Sequence, residues 1–104
     1  MGRFLTEKEF SEHLNTKFRV NVDSAPPIEL ELVEVRGYEN KDQPGEQGGM
    51  ERFSIFFIGP GDVFLQQAIY PLVHETIGEL EIFLVPLSRD ESGFRYEAVF
   101  NYKP

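Results

Sequence analysis

One stretch, Gln67–Pro86, limits the folds open to this chain more than any other, because two β-type runs there flank a short turn at Glu75–Gly78. In the second run apolar and acidic residues alternate, and this period of two residues is typical of a strand with one buried and one solvated face. Phe83 and Val85 add apolar side chains to the acidic face, which predicts a strand that ends buried on both faces. The stretch therefore predicts a β-hairpin that needs partner strands. The alternating residues of the second run are Glu79, Leu80, Glu81, Ile82 and Leu84.

Four further segments have the composition and periodicity of strands. The segment Ile28–Arg36 changes phase near Leu32–Val33, which indicates a β-bulge at that point. The segment Glu51–Ile58 is apolar on both faces, which is typical of a central strand that is covered on each side. The four segments are Lys17–Val22, Ile28–Arg36, Glu51–Ile58 and Phe94–Tyr102.

The start of the chain predicts one short helix, at about residues 6–14. Thr6 and Glu9 have the spacing of a capping box, and Phe10 and Leu14 form an apolar pair one turn apart. A helix of this length is unstable alone, so we expect it to dock on the sheet.

Two segments predict irregular structure. Gly37–Gly49 is polar and rich in glycine, which predicts a long flexible hairpin loop. Pro86–Gly93 combines proline, glycine and charged residues, which predicts a turn after the second strand of the hairpin.

Together these elements predict a single domain over residues 1–104, of the mainly β (α+β) class. About six antiparallel strands, paired in chain order, would roll into a small barrel or sandwich. The short N-terminal helix would cover one opening or one face of that sheet.

Composition excludes several classes of function. The formal net charge is −8, from 18 acidic and 10 basic residues. Nucleic acids and anionic membranes are therefore disfavoured as partners, because both need clustered cations. The chain has no cysteine, so disulfides, thiolate catalysis and cysteine-bound zinc are excluded. No apolar run approaches the roughly 20 residues of a membrane-spanning helix and no signal segment is visible. The default prediction is therefore a cytoplasmic location, and export by a route without a cleaved signal is the alternative.

Five motifs resemble those of a family of small, uncharacterised bacterial domains. They are Leu5–Phe10, Phe57–Pro60, Tyr70–His74, Gly78–Pro86 (Gly-x-Leu-Glu-x-Phe-Leu-Val-Pro) and Tyr96–Asn101 (Tyr-Glu-Ala-Val-Phe-Asn). The resemblance covers nearly the whole chain, and the long glycine-rich loop departs from the family's pattern. It implies a domain with no assigned activity and an association with phage-tail-like gene neighbourhoods.

His74 and Glu75 are the residues that most resemble a catalytic pair, an imidazole beside a carboxylate. Successive residues of a strand point to opposite faces, so the favoured interpretation is structural: His74 ends a strand and bonds the backbone of the turn. His13 would meet His74 if the helix packs over the hairpin, but two histidines without a third ligand make a poor metal site. His74, Glu75 and His13 thus form a candidate surface site, with no catalytic, cofactor or metal site predicted.

The glutamates of the strands form two acidic faces, but their spacing is not that of a calcium-binding loop. Solvated glutamates that keep a strand from aggregating are the simpler interpretation. These residues are Glu29, Glu31, Glu34, Glu79 and Glu81.

The favoured function is a non-enzymatic structural or interaction module, a component of a larger assembly, which the family resemblance implies to be phage-tail-like. It would bind a protein partner, or a second copy, through exposed strand edges, and it needs no cofactor. The alternative is a small barrel that binds an apolar ligand among inward aromatic side chains, although six strands favour a filled interior. An enzyme that uses His74 and a carboxylate is the least favoured reading. The aromatic residues expected inside are Phe53, Phe57, Phe83, Tyr96 and Phe100.

Overall fold

The computed structural model describes residues 7–21, 26–37 and 51–102. These residues form one short helix and six antiparallel strands, which confirms the mainly β class and the N-terminal position of the helix. The elements are α1 (Glu7–Ser11), β1 (Lys17–Val20), β2 (Ile28–Gly37), β3 (Glu51–Gly59), β4 (Ala68–His74), β5 (Gly78–Asp90) and β6 (Gly93–Tyr102).

The six strands form one sheet that closes on itself in the order β1-β2-β3-β6-β5-β4. Closure occurs where β1 pairs with β4 at Phe18–His74, Arg19–Val73 and Val20–Leu72, a contact that we call the seam. The expectation of exposed strand edges is wrong for this ring, because each of the six described strands has a paired neighbour on both sides.

Alternate residues of every strand point into the ring and fill it with apolar side chains. Each fully buried side chain of this size stabilises the fold by about 1.5–3 kcal/mol. Of the aromatic residues expected inside, Phe53, Phe57 and Tyr96 are buried, and Phe100 packs against the core. The core consists of Phe10, Phe18, Val20, Leu30, Leu32, Phe53, Ile55, Phe57, Leu65, Leu72, Leu80, Ile82, Leu84, Tyr96 and Ala98.

Phe83 is the exception, and the prediction that β5 ends buried on both faces is wrong there. Its side chain is 46% exposed. Phe83 is the register partner of Ile69 on β4, and both residues lie on the outer face of the ring. The alternation of β5 therefore continues through Leu84, and only its inward residues are buried.

The helix is shorter than predicted and ends at Ser11 rather than near residue 14. Asn15 adopts a left-handed conformation, with φ of 69°, and its N–H donates to the carbonyl of Leu32. That bond turns the chain into the sheet, so Leu14 is 36% exposed and does not belong to a buried stripe. The predicted capping residue, Thr6, lies outside the described residues.

Phe10 is the buried residue of α1 and attaches the helix to the ring. Its ring centroid lies 5.8 Å from that of Phe53 and 5.4 Å from that of Phe100. This aromatic contact provides the docking that so short a helix requires.

Two irregularities shape the sheet. The predicted bulge of β2 is present as a register shift between Leu32 and Glu34. The predicted turn at Pro86–Gly93 is present but shorter, at Glu91 and Ser92, because β5 continues to Asp90 with a second register shift between Pro86 and Ser88. A shift at this position accommodates proline, which has no N–H for the ladder.

Of the predicted flexible loop, residues 38–49 lie outside the described part of the chain.

β3 is covered on both faces, as its sequence predicts. On its outer face, Phe56 is buried beneath two guanidinium groups, 5.4 Å from Arg36 and 4.8 Å from Arg95. The carboxylate of Glu34 accepts hydrogen bonds from both arginines, at 2.7 and 2.6 Å, and holds them in place. Glu34 is thus a structural residue of the surface.

Candidate functional site

His74 is the last residue of β4, and its side chain is only 5% exposed, so it is buried rather than at the surface. Its Nδ1 accepts hydrogen bonds from the N–H groups of Thr76 (3.0 Å) and Ile77 (3.2 Å), the bonding to the turn that the sequence predicts. The hydroxyl of Thr16 donates to the carbonyl of His13 at 2.6 Å. Its oxygen therefore accepts from Nε2 of His74, at 2.9 Å.

The two imidazoles lie close together because the turn that follows α1, which carries His13 and Thr16, lies against the end of β4. Their centroids are 4.9 Å apart with the rings perpendicular, and Nδ1 of His13 is 2.9 Å from the carbonyl of Glu9. Burial lowers the pKa of His74, the charge of a protonated His13 lowers it further, and Glu75 opposes both effects. Glu75 is exposed, and no hydrogen bond joins it to either imidazole within the described residues.

This arrangement is structural rather than chemical. Both ring nitrogens of His74 already have protein partners, so neither is available to a substrate or a metal ion. Across the described ranges 7–21, 26–37 and 51–102, no group of three His, Cys, Asp or Glu side chains is placed to hold a metal.

A different feature, on the outer face of β4, β5 and β6, is the stronger candidate for a functional surface. It consists of Ile69, Phe83 and Val99, which we call the apolar row. Their side chains are 65%, 46% and 59% exposed. Ile69 and Phe83 are direct cross-strand partners. Val99 lies on the outer face of β6, two residues from Glu97, the register partner of Val85 on β5.

Carboxylates border the apolar row on both sides along the strands. On one side Glu81 is exposed and pairs with Pro71 of β4, and Glu79 lies two residues farther along β5. On the other side lies Glu97 of β6, whose carboxylate accepts a hydrogen bond of 2.9 Å from the buried hydroxyl of Ser54. Glu79 and Glu81 have no ion-pair partner among the residues that the structure describes. The surface is thus apolar at its centre and acidic at its rim.

Sequence reasoning missed the apolar row, although the residues that form it were visible. The outer face of β5 changes from Glu79 and Glu81 to Phe83, and this change predicts a strand end that is buried on both faces. Exposure is a property of the packed ring, and only the closed sheet shows that Phe83 faces outward.

Comparison with known proteins defines the family but no activity. No helix among the described residues is long and apolar enough to cross a membrane. No curated protein and no solved structure matches the chain significantly. One family model, described as a domain of unknown function (DUF6916), matches residues 5–100, a range that includes the apolar row and both histidines. The chain therefore belongs to the DUF6916 family of domains of unknown function.

Proposed function

We propose that the domain is a non-enzymatic protein-interaction module that binds its partner through the apolar row. The observation that carries this proposal is the exposure of Ile69 and Phe83, two large apolar side chains directly opposite each other on the outer face. Contiguous exposed apolar surface marks interaction sites on soluble domains, and aromatic residues are enriched in interfaces.

The apolar row alone supports only weak binding. Complete burial of three such side chains, each now about half exposed, is worth roughly 2–5 kcal/mol. A binding free energy of about 4 kcal/mol corresponds to a dissociation constant of about 1 mM. A useful affinity therefore requires the charged rim as well, so Glu81 and Glu97 become part of the surface.

The rim indicates the chemistry of the partner. A symmetric contact between two copies places the same patch on both sides, and it would bring Glu81 and its neighbours against further carboxylates. Like charges across an interface disfavour association, and the chain as a whole carries a formal charge of −8. The partner is therefore a different protein, which supplies apolar side chains flanked by Lys or Arg.

The structure bears on some of the other functional expectations from the sequence and not on others. The engaged nitrogens of His74 support a non-enzymatic role. The filled interior of the ring gives no support to the alternative of a barrel that binds an apolar ligand. A setting in a larger, phage-tail-like assembly rests on the family resemblance alone, and the cytoplasmic location stays a prediction from the sequence.

Titration followed by nuclear magnetic resonance tests the proposal. The probe is a synthetic peptide in which Lys alternates with Val and Phe, and the control peptide has Glu in place of Lys. We expect the Lys peptide to shift the amide signals around Ile69, Phe83 and Val99, and salt to weaken the effect. The Glu peptide should leave these signals unchanged.

A matched pair of variants separates the apolar row from general hydrophobicity. Phe83→Ser should abolish the peptide's effect, whereas Leu87→Ser, which removes a side chain of similar exposure (47%) elsewhere on β5, should not. Equal weakening by both variants, or equal binding of both peptides, would refute the proposal. A dimer that Phe83→Ser dissociates would identify a second copy as the occupant and overturn the assignment to a basic partner.

A further inference from the structure

Three parts of the fold meet at His74. It is paired with Phe18 across the seam and with Gly78 across the β4–β5 hairpin. Its ring centroid lies 4.6 Å from that of Phe18, and Thr16 connects it to His13 in the turn that follows α1. A change at this one side chain therefore affects that turn, the seam and the hairpin turn together.

The hydrogen bonds around His74 fit only the neutral ring with its proton on Nε2. Nδ1 faces two N–H donors, from Thr76 and Ile77, so it must be an acceptor. Nε2 must donate, because the single hydroxyl proton of Thr16 is already given to the carbonyl of His13. Protonation would turn Nδ1 into a donor that faces the N–H donors of Thr76 and Ile77. Both hydrogen bonds to the turn would be lost, and a buried cation would remain.

The charged groups around the ring have opposing effects on the cation. His13 faces it from the turn after α1 and adds repulsion when it is protonated. Glu75, the next residue in the turn, acts in the opposite direction but is exposed. From β1, Lys17 and Arg19 are exposed on the face opposite to Phe18, and from β5 the register partner is a glycine without a side chain.

We infer that His13, Thr16 and His74 form an acid-sensitive latch, which holds the turn after α1 and the seam to the β4–β5 turn at neutral pH and releases them when His74 is protonated. This inference is independent of the proposed interaction, since none of the three residues belongs to the apolar row. The released parts would be the turn amides of Thr76 and Ile77 and the segment that carries Thr16.

The direction of the pH dependence follows from the lowered pKa of His74. Between that lowered value and the ordinary value of 6.5, the unfolded chain binds more protons at this site than the folded chain does. The contribution of the latch to stability is therefore complete above pH 6.5 and is lost as the pH falls from there through the folded-state pKa.

Two measurements test the latch. The first is the titration of the imidazole signal of His74 by nuclear magnetic resonance, which should give a pKa below 6.5. The second is amide hydrogen exchange, corrected for the intrinsic pH dependence, in the same titration. Protection of Ile77, and of Leu32, whose N–H donates to the carbonyl of Thr16, should fall as His74 is protonated, while Ile55 in β3 stays protected. A pKa of 6.5 or above, or unchanged protection at Ile77 and Leu32, would overturn the inference.

Variants provide an independent readout. His74→Gln keeps an acceptor and a donor but cannot titrate, so its urea midpoint should lose the fall that the parent shows as the pH drops below 6.5. If His74→Gln does not fold, Thr16→Val is the alternative variant. It removes only the hydroxyl between the two histidines and should lower the parent's protection at Ile77 at neutral pH. A full pH-dependent fall in His74→Gln would assign the effect to other groups.

Discussion

Replacement of Tyr96 by Phe is the most informative single test of the packing. Tyr96 lies on β6 with no exposed surface, and its hydroxyl oxygen accepts a hydrogen bond of 3.1 Å from the N–H of Leu65. Burial raises the pKa of the Tyr96 hydroxyl, in keeping with an enclosed group. The variant keeps the ring but leaves the N–H of Leu65 buried without an acceptor.

An unpaired buried donor costs about 1–3 kcal/mol. For a domain of about this size, each kcal/mol lowers the melting temperature by roughly 4–8 °C. Tyr70→Phe is the matched control, because the hydroxyl of Tyr70 also bonds the backbone, at the carbonyl of Gln66, but at the surface. Surface changes of that kind are usually within about 0.5 kcal/mol of the parent.

Urea unfolding followed by circular dichroism gives the comparison, because the chain has no tryptophan and both variants alter tyrosine fluorescence. We expect Tyr96→Phe to lower the midpoint without a change in slope, and Tyr70→Phe to leave it in place. Equal losses in the two variants, or a loss below about 0.5 kcal/mol for Tyr96→Phe, would refute the hydrogen-bond argument. A changed slope would instead indicate an altered denatured state.

Three further predictions concern the turn, the helix and the surface ion pairs. Gly93→Ala should prevent stable folding, because φ is 126° and the added Cβ would overlap a carbonyl oxygen of β3. Gly78→Ala, with φ of 98° and open space, should cost only about 1–2 kcal/mol in urea unfolding. Phe10→Ala should cost about 3–5 kcal/mol in the same assay, since it removes the buried contact of α1. The hydrogen bond from Arg36 lowers the pKa of Glu34, so the ion pair stabilises the fold above the ordinary value of 4.5 and is lost as the pH falls below it. Glu34→Gln should flatten that part of the stability–pH curve, and an unchanged curve would contradict the assignment.

Much of the fold follows from local pattern. The alternation of apolar and polar residues locates the strands, and the phase change of β2 locates its bulge, because both depend only on near neighbours. The length of β5 does not follow from local pattern. Pro86 usually ends a strand, but here a register shift follows it and lets the strand continue, and that shift depends on β6.

The candidate surface depends on contacts between residues distant in sequence, which is why only part of it could be predicted. The bond from His74 to its own turn is local and was expected. The approach of His13 to His74 requires α1 to be docked, and the outward position of Phe83 requires the ring to be closed. Neither the docking of α1 nor the closure of the ring can be predicted from the spacing of residues along the chain.

The seam also has a consequence for the order of folding. Four of the six strand pairings join strands that follow each other in the chain, and these form as hairpins at small entropic cost. The seam instead joins segments far apart, such as Thr16 and His74, which are 58 positions apart, and it gains only three residue pairs in return. We therefore expect closure of the seam to be a late event in folding and its rupture an early event in unfolding. A brief opening there would turn the ring into an open sheet with β1 and β4 at its margins.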